Sequence, residues 1–134
     1  MGFVWRDVVR DYELDCQGIV NNSNYLRYME HARHQHLLSL GIDFAALHAA
    51  GVDLVVARSE IDFKSPLVSQ DSYQVTSEIE VMGPVRFKIS QQIFREKDQK
   101  LMAQGVHVCA AIRRSDGRPV RCPELLAKVE VGKK

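Results

Sequence analysis

Residue types that can do chemistry lie together just before the strongest helical pattern in the chain: Asp15, Gly18 and the pair Asn21 and Asn22. A carboxylate in a partly desolvated loop can act as a general base or as a nucleophile. Unpaired N–H groups at the start of a helix stabilise the negative charge that develops on a reacting carbonyl oxygen. The segment thus favours an attacking group beside an oxyanion site, although Asp, Gly and Asn also make ordinary turns and helix caps.

Other reactive side chains in the sequence form no recognisable site. His31 and His34 are three residues apart in the predicted helix, but no carboxylate follows at a spacing that would complete a metal site. We therefore expect no metal. Cys16 adjoins Asp15, and it would need a base held close to it to act as a nucleophile. No serine lies in a G-x-S-x-G pattern, and the isolated glycines make no phosphate-binding loop.

Basic side chains on predicted strands, or at the strand ends, could meet a phosphorylated ligand. The residues are Arg58, Lys64, Arg86 and Lys88. Exposed strand positions are commonly Lys or Arg, so a solvated sheet surface is the alternative interpretation.

Length and composition limit the class of protein. The 134 residues suit a single domain spanning 1–134, and the net charge of +1 shows no basic excess that would indicate a nucleic-acid partner. Three cysteines without a C-x-x-C pair predict a reducing cytoplasm. No segment approaches the ~18 consecutive apolar residues of a membrane span. The terminal Lys133 and Lys134 are predicted to be a solvated tail.

Hydrophobic periodicity predicts an α+β domain. Residues 3–9 form a first strand, and an amphipathic helix follows from about residue 24, with its end near Gly41. A shorter helix is predicted at 44–50. Four segments with period two follow from residue 53 onward, and short turns between them predict an antiparallel meander. The tail at 123–131 is either a short helix or an edge segment.

The region from residue 13 to residue 33 also has a recognisable motif. Its components are Glu13-Leu14-Asp15, Gly18, the apolar pair Ile19-Val20, a polar stretch, Tyr25 and Tyr28-Met29-Glu30-His31-Ala32-Arg33. This order resembles the hotdog-fold thioesterases of the 4-hydroxybenzoyl-CoA thioesterase-like family. A second, weaker match is Ile61-Asp62-Phe63-Lys64-Ser65-Pro66 followed by Asp71.

The resemblance implies a hotdog fold, in which an antiparallel five-stranded sheet wraps around one long helix. It implies a homodimer or homotetramer with the active site at the subunit interface, and no cofactor. Asp15 takes the catalytic position, and the backbone N–H of Asn22 takes the position that polarises the carbonyl. Gly18, Val20 and Tyr25 match positions expected at the substrate.

The expected function is hydrolysis of an acyl-CoA thioester to a free acid and CoA. An acyl-carrier-protein thioesterase and a non-catalytic acyl-CoA-binding hotdog protein are the alternatives. Leu14 and Ile19 depart from the family pattern and could change the acyl preference. Phe44, Leu47 and Leu54 are candidates to narrow an acyl pocket.

Overall fold

A computed structural model describes residues 2–132 of the chain, so Lys133 and Lys134 lie outside the described residues. The strands are β1 (Phe3–Val8), β2 (Val52–Phe63), β3 (Ser72–Val81), β4 (Arg86–Arg95) and β5 (Lys100–Arg113). The helices are α1 (Asn22–Ser39), α2 (Phe44–Ala49) and α3 (Pro123–Gly132), and a short 3₁₀ turn spans Asp11–Glu13. The α+β class is therefore confirmed, and of the two alternatives for the C-terminal tail the structure has the helix.

Helix α1 is fixed by its caps and by one apolar face. The Asn21 side chain accepts a hydrogen bond from the Ser23 N–H at 3.0 Å, which satisfies one of the open donors at the helix start. This cap makes the helix begin at Asn22, slightly before the predicted start. After the last turn Gly41 adopts a φ of +82°, which ends the helix as predicted. The face that packs on the sheet contains Tyr25, Tyr28, Met29, Ala32, His36 and Leu37.

The five strands form one antiparallel sheet in the order β1-β3-β4-β5-β2. The predicted meander is correct for β3, β4 and β5 but wrong for β2, which pairs with β5 instead of β3. The reason lies in the connection after β2. It runs past the loop before α1, where Leu67 accepts a hydrogen bond from the Val20 N–H at 2.9 Å, before the chain returns at β3. Strands β1 and β2 are the edges of the sheet.

Two apolar clusters fill the space between α1 and the sheet. One surrounds Met29, Tyr73 and Ile93 beneath the first half of α1. The other surrounds Leu37, Phe87 and Ile89 beneath the second half, where α3 contributes Leu125 and Val129. The sheet thus encloses α1 along its length, as in a hotdog fold. None of the helices described within residues 2–132 has the length and apolar character needed to cross a membrane.

Two histidines are buried in this core. His36 Nδ1 lies 3.0 Å from Ser77 Oγ, and His107 Nδ1 lies 2.7 Å from Ser59 Oγ. Burial lowers the pKa of each imidazole from 6.5 to about 4, and the charge of Arg33 also lowers the pKa of His107.

These two pKa values predict acid destabilisation. The unfolded chain binds more protons than the folded chain between pH 6.5 and pH 4, so the free energy of unfolding falls as the pH falls through that window. We expect each histidine to account for a loss of about 1–2 kcal/mol between pH 7 and pH 5. Urea unfolding at the two pH values measures the loss. His36→Asn and His107→Asn should each reduce it, and an undiminished loss in both variants would contradict the prediction.

Candidate active site

The loop before α1 is a tight turn closed by an antiparallel bridge between Leu14 and Val20. Inside this bridge the Asp15 N–H donates to the Ile19 carbonyl at 2.8 Å, and the Gly18 N–H donates to the Asp15 carbonyl at 3.1 Å. Gly18 has a φ of +80°, and apart from Gly18 itself and its two chain neighbours no heavy atom lies within 4 Å of where a Cβ would stand. The glycine is therefore required by the backbone conformation and leaves open space above the loop.

The carboxylate of Asp15 is half-buried and divides its two oxygens between two roles. Oδ1 accepts hydrogen bonds from the N–H of Gln17 at 2.8 Å and from the N–H of Ile19 at 3.4 Å. Oδ2 has no hydrogen-bond partner within the described part of the chain. One oxygen therefore orders the turn, while the other is available to a ligand or a water molecule. The turn interpretation and the chemical interpretation of Asp15 are thus compatible.

A buried carboxylate, Glu13, fastens this loop to α1. Its Oε1 accepts hydrogen bonds from the Arg10 N–H and the Tyr28 hydroxyl, both at 2.8 Å. Its carbonyl accepts from the Asn21 N–H at 3.0 Å and from Asn24 Nδ2 at 2.8 Å. Burial, together with the bond to Glu13, raises the pKa of Tyr28. The sequence motif contains Glu13, but sequence reasoning gave it no role. Its position two residues before Asp15 was the available signal.

The start of α1 leaves a free backbone donor. Asn22 is the first helical residue and its side chain is exposed. The Asn21 carbonyl accepts a hydrogen bond from the Asn24 N–H at 2.8 Å, and the Asn21 side-chain oxygen accepts one from the Ser23 N–H. The N–H of Asn22 donates to no acceptor among residues 2–132. It is therefore one of the open donors at the positive end of the helix dipole.

Val20 and Tyr25, which were predicted to meet the substrate, are core residues in this chain. Their exposed fractions are 1% and 2%. Tyr25 Oη accepts a hydrogen bond from the Leu67 N–H at 2.9 Å, and its ring contacts Phe63 edge-on. Burial raises the pKa of the Tyr25 phenol. Both residues therefore hold the loop, the start of α1 and the segment after β2 together, and their contact with a substrate stays a prediction.

The four predicted phosphate-binding residues do not lie together at one site. Arg58 and Lys88 lie in one row across the sheet, on either side of Val108, and Arg58 is ion-paired with Glu60. Lys88 Nζ lies 3.2 Å from a carboxylate oxygen of Glu80. Arg86 begins β4 and is exposed.

Lys64 is the one of the four that the chain places beside the loop. It directly follows Phe63, whose ring contacts Tyr25, and its side chain is exposed. Lys64 is therefore the strongest of the four candidates for contact with a phosphorylated ligand at this site.

A cavity of about 420 Å³ opens under the first half of edge strand β2, between α1, α2 and the inner face of the sheet. Phe44 and Leu54 line it, whereas Leu47 lines an adjoining hollow that shares these two residues, and the effect of all three on an acyl group stays a prediction. The remaining apolar walls are Leu37, Val55, Val56, Phe87, Ile89 and Cys109. Glu30, Arg33 and His34 of α1 complete the lining. Sequence reasoning had assigned no role in a pocket to these three residues.

Comparisons with known proteins agree on the family. The model of the thioesterase-like superfamily matches residues 9–129. The acyl-acyl carrier protein thioesterase ATL3 of Arabidopsis thaliana is 37% identical over 86% of this chain, which spans only 60% of the ATL3 length. The long-chain acyl-CoA thioesterase FadM of Escherichia coli is 30% identical, over 73% of this chain and 74% of FadM.

A solved structure supports the same fold. The 1,4-dihydroxy-2-naphthoyl-CoA thioesterase Slr0204 from Synechocystis superposes with a TM-score of 0.93, over 100% of this chain and 99% of Slr0204, at 18% identity. At that identity the match establishes the architecture only. Together with the family match over most of its length, it identifies the chain as a member of the thioesterase-like superfamily and a hotdog-fold thioester hydrolase.

Proposed function

We propose that the chain hydrolyses acyl-CoA thioesters, with Asp15 and the N–H of Asn22 acting on the same thioester. The observation that carries the proposal is the short loop from Glu13 to Asn22. It has a carboxylate with one free oxygen, at Asp15, and an open helix-terminal N–H where it joins α1. Glu13 ties both ends of this loop to α1, so the two groups keep a fixed relation to each other.

The chemistry follows from these two groups. As the carbonyl carbon is attacked, its oxygen becomes negative, and the Asn22 N–H at the positive helix end stabilises that charge. In one route Asp15 removes a proton from the attacking water, the C–S bond breaks, and the CoA thiolate leaves and is protonated. In the other route Asp15 attacks the carbon, the C–S bond breaks with departure of the CoA thiolate, which is then protonated, and water hydrolyses the resulting anhydride. Both routes give a free acid and CoA, and both use the oxygen Oδ2.

We also propose that two copies of the chain share this site. Strand β2 is a long edge strand with exposed Val56 and Phe63, and such an edge is a template for pairing with another chain. Two-fold pairing of β2 with its copy would be antiparallel. The end of β2 at Phe63, which contacts Tyr25 beside the Asp15 loop, would then lie next to the partner's end of β2 that lines the cavity.

The second candidate function is hydrolysis of acyl groups on acyl carrier protein, because ATL3 bears that name and is the more similar of the two enzymes compared above. Exposed Lys64 suits either carrier, since both CoA and the phosphopantetheine arm carry phosphate.

Thiol release from a panel of acyl-CoAs, and from the same acyl groups on carrier protein, tests the proposal. We expect turnover with at least one acyl-CoA and a higher kcat/KM on CoA than on carrier protein. The reverse preference would favour the second candidate. Stoichiometric binding of acyl-CoA without thiol release would instead indicate a non-catalytic binding protein.

A further inference from the structure

Arg33 is a cationic residue in the mostly apolar lining of the cavity under β2. It is half-buried on α1 among apolar walls that include Leu37, Phe87 and Ile89. Burial lowers the pKa of its guanidinium, and the nearby negative charge of Glu30 offsets only part of this shift. A cation in such surroundings needs hydrogen-bond acceptors to offset its lost hydration.

Within residues 2–132 the Arg33 guanidinium makes one hydrogen bond, and its acceptor is neutral. Its Nη1 donates to Gln91 Oε1 at 3.3 Å, and Gln91 is itself held by a bond from its Nε2 to the Met29 carbonyl at 3.0 Å. No carboxylate in the described part of the chain forms an ion pair with Arg33. Among the described side chains only His107 Nε2 is both fully buried and unpartnered. The other guanidinium nitrogens are therefore not sealed inside the core, and Arg33 lines the cavity.

We infer that this cavity receives the acyl part of the thioester and that Arg33 selects acyl groups that carry a hydroxyl or oxo oxygen within the chain. The inference rests on the proposed function, because it assumes that the ligand is an acyl thioester. The apolar walls suit a hydrocarbon segment, and the open N–H groups of Arg33 suit a neutral oxygen acceptor. Glu30 lines the same cavity, and its negative charge disfavours an acyl group that ends in a carboxylate.

Arg33 should discriminate strongly between oxygenated acyl groups and plain alkyl chains. A plain alkyl chain in this cavity would displace water from Arg33 without replacing its hydrogen bonds. A site built to hydrogen-bond an oxygen rejects an analogue that lacks it for this reason. One charge-assisted hydrogen bond predicts a preference of about 10- to 100-fold in kcat/KM.

The test compares octanoyl-CoA with the positional isomers of hydroxyoctanoyl-CoA and oxo-octanoyl-CoA. We expect at least one oxygenated isomer to exceed octanoyl-CoA by about 10-fold or more in kcat/KM, and Arg33→Met to remove that advantage. The readout is the ratio of two substrates on one preparation, so it does not depend on the fraction of folded enzyme. If Arg33→Met yields no folded protein, Arg33→Lys replaces it in the test. Lysine keeps the charge but lacks the planar set of guanidinium donors, so it should lower the ratio of the two kcat/KM values.

Phe44→Ala is the matched control, because Phe44 lines the same cavity without a hydrogen-bonding group. It should change both substrates alike and leave the ratio near its wild-type value. A wild-type enzyme that hydrolyses octanoyl-CoA but shows no preference for any oxygenated isomer would overturn the inference, as would a ratio that Arg33→Met leaves unchanged. A wild-type protein that releases no thiol from any thioester would instead refute the proposed function.

Discussion

Replacing Asp15 by asparagine is expected to lower kcat for acyl-CoA hydrolysis by about 10²–10⁴-fold. The introduced amide can still accept the hydrogen bonds from Gln17 and Ile19 that order the turn, because its oxygen takes the place of Oδ1. What the variant loses is the free carboxylate oxygen that removes a proton or attacks the carbonyl. Asp15→Ala should reduce kcat similarly and should also loosen the turn. Steady-state kinetics with the preferred acyl-CoA, together with Tm values, separates these two effects.

Cys16→Ala is the matched control for this prediction. Cys16 adjoins Asp15 and is an exposed free thiol, so it is the competing nucleophile in the same loop. We expect its kcat to stay within about 2-fold of wild type, because no base lies within hydrogen-bond distance of the thiol among the described residues. A large loss of kcat in Cys16→Ala, with full activity in Asp15→Asn, would show that the thiol and not the carboxylate is the reacting group.

The second large effect is expected at Glu13, and it is an effect on stability. Glu13→Ala removes the acceptor of the Arg10 N–H and of the buried Tyr28 hydroxyl. Leaving the buried Tyr28 hydroxyl unpaired costs about 1–3 kcal/mol and the part-buried Arg10 N–H adds a smaller cost, so we expect the free energy of unfolding to fall by about 2–4 kcal/mol. Urea unfolding at pH 7 measures this loss.

Two further variants make the Glu13 experiment specific. Glu13→Gln keeps an acceptor oxygen and the shape of the side chain, so its loss should be smaller than that of Glu13→Ala. Asp11→Asn changes an exposed acid in the same 3₁₀ turn and should cost less than about 1 kcal/mol. Equal losses in Glu13→Ala and Asp11→Asn would show that Glu13 does not fasten the loop to α1.

The sequence predicted the elements of the fold well because their signals are local. The apolar stripe of α1, the caps near Asn21 and Gly41, and the alternation in β3, β4 and β5 each depend on neighbouring residues. The pairing of β2 with β5 could not be predicted in that way. Strand order depends on contacts between residues far apart in the sequence. Here the connection from Lys64 to Asp71 forms a hydrogen bond with the loop before α1, so β2 does not pair with β3.

The candidate site was predictable in part for the same reason. Asp15, Gly18 and Asn22 lie within one short segment, so their spacing is visible in the sequence. The role of Glu13 depends on Tyr28 and Arg10 approaching it in space, and the lining of the cavity depends on four elements meeting beneath β2. Arg33 looks like an ordinary polar residue of an amphipathic helix until the fold shows that it lines a largely apolar cavity and forms no ion pair within residues 2–132.

The measurement that tests the central claim most directly is a crystal structure with a non-hydrolysable acyl-CoA analogue in which a methylene group replaces the thioester sulfur. Our account predicts that the carbonyl oxygen of the analogue accepts a hydrogen bond from the N–H of Asn22, at about 3 Å. It also predicts that Oδ2 of Asp15 faces the carbonyl carbon, directly or through one water molecule. An analogue whose carbonyl binds away from both groups, with Asp15 Oδ2 turned toward bulk solvent, would contradict the account.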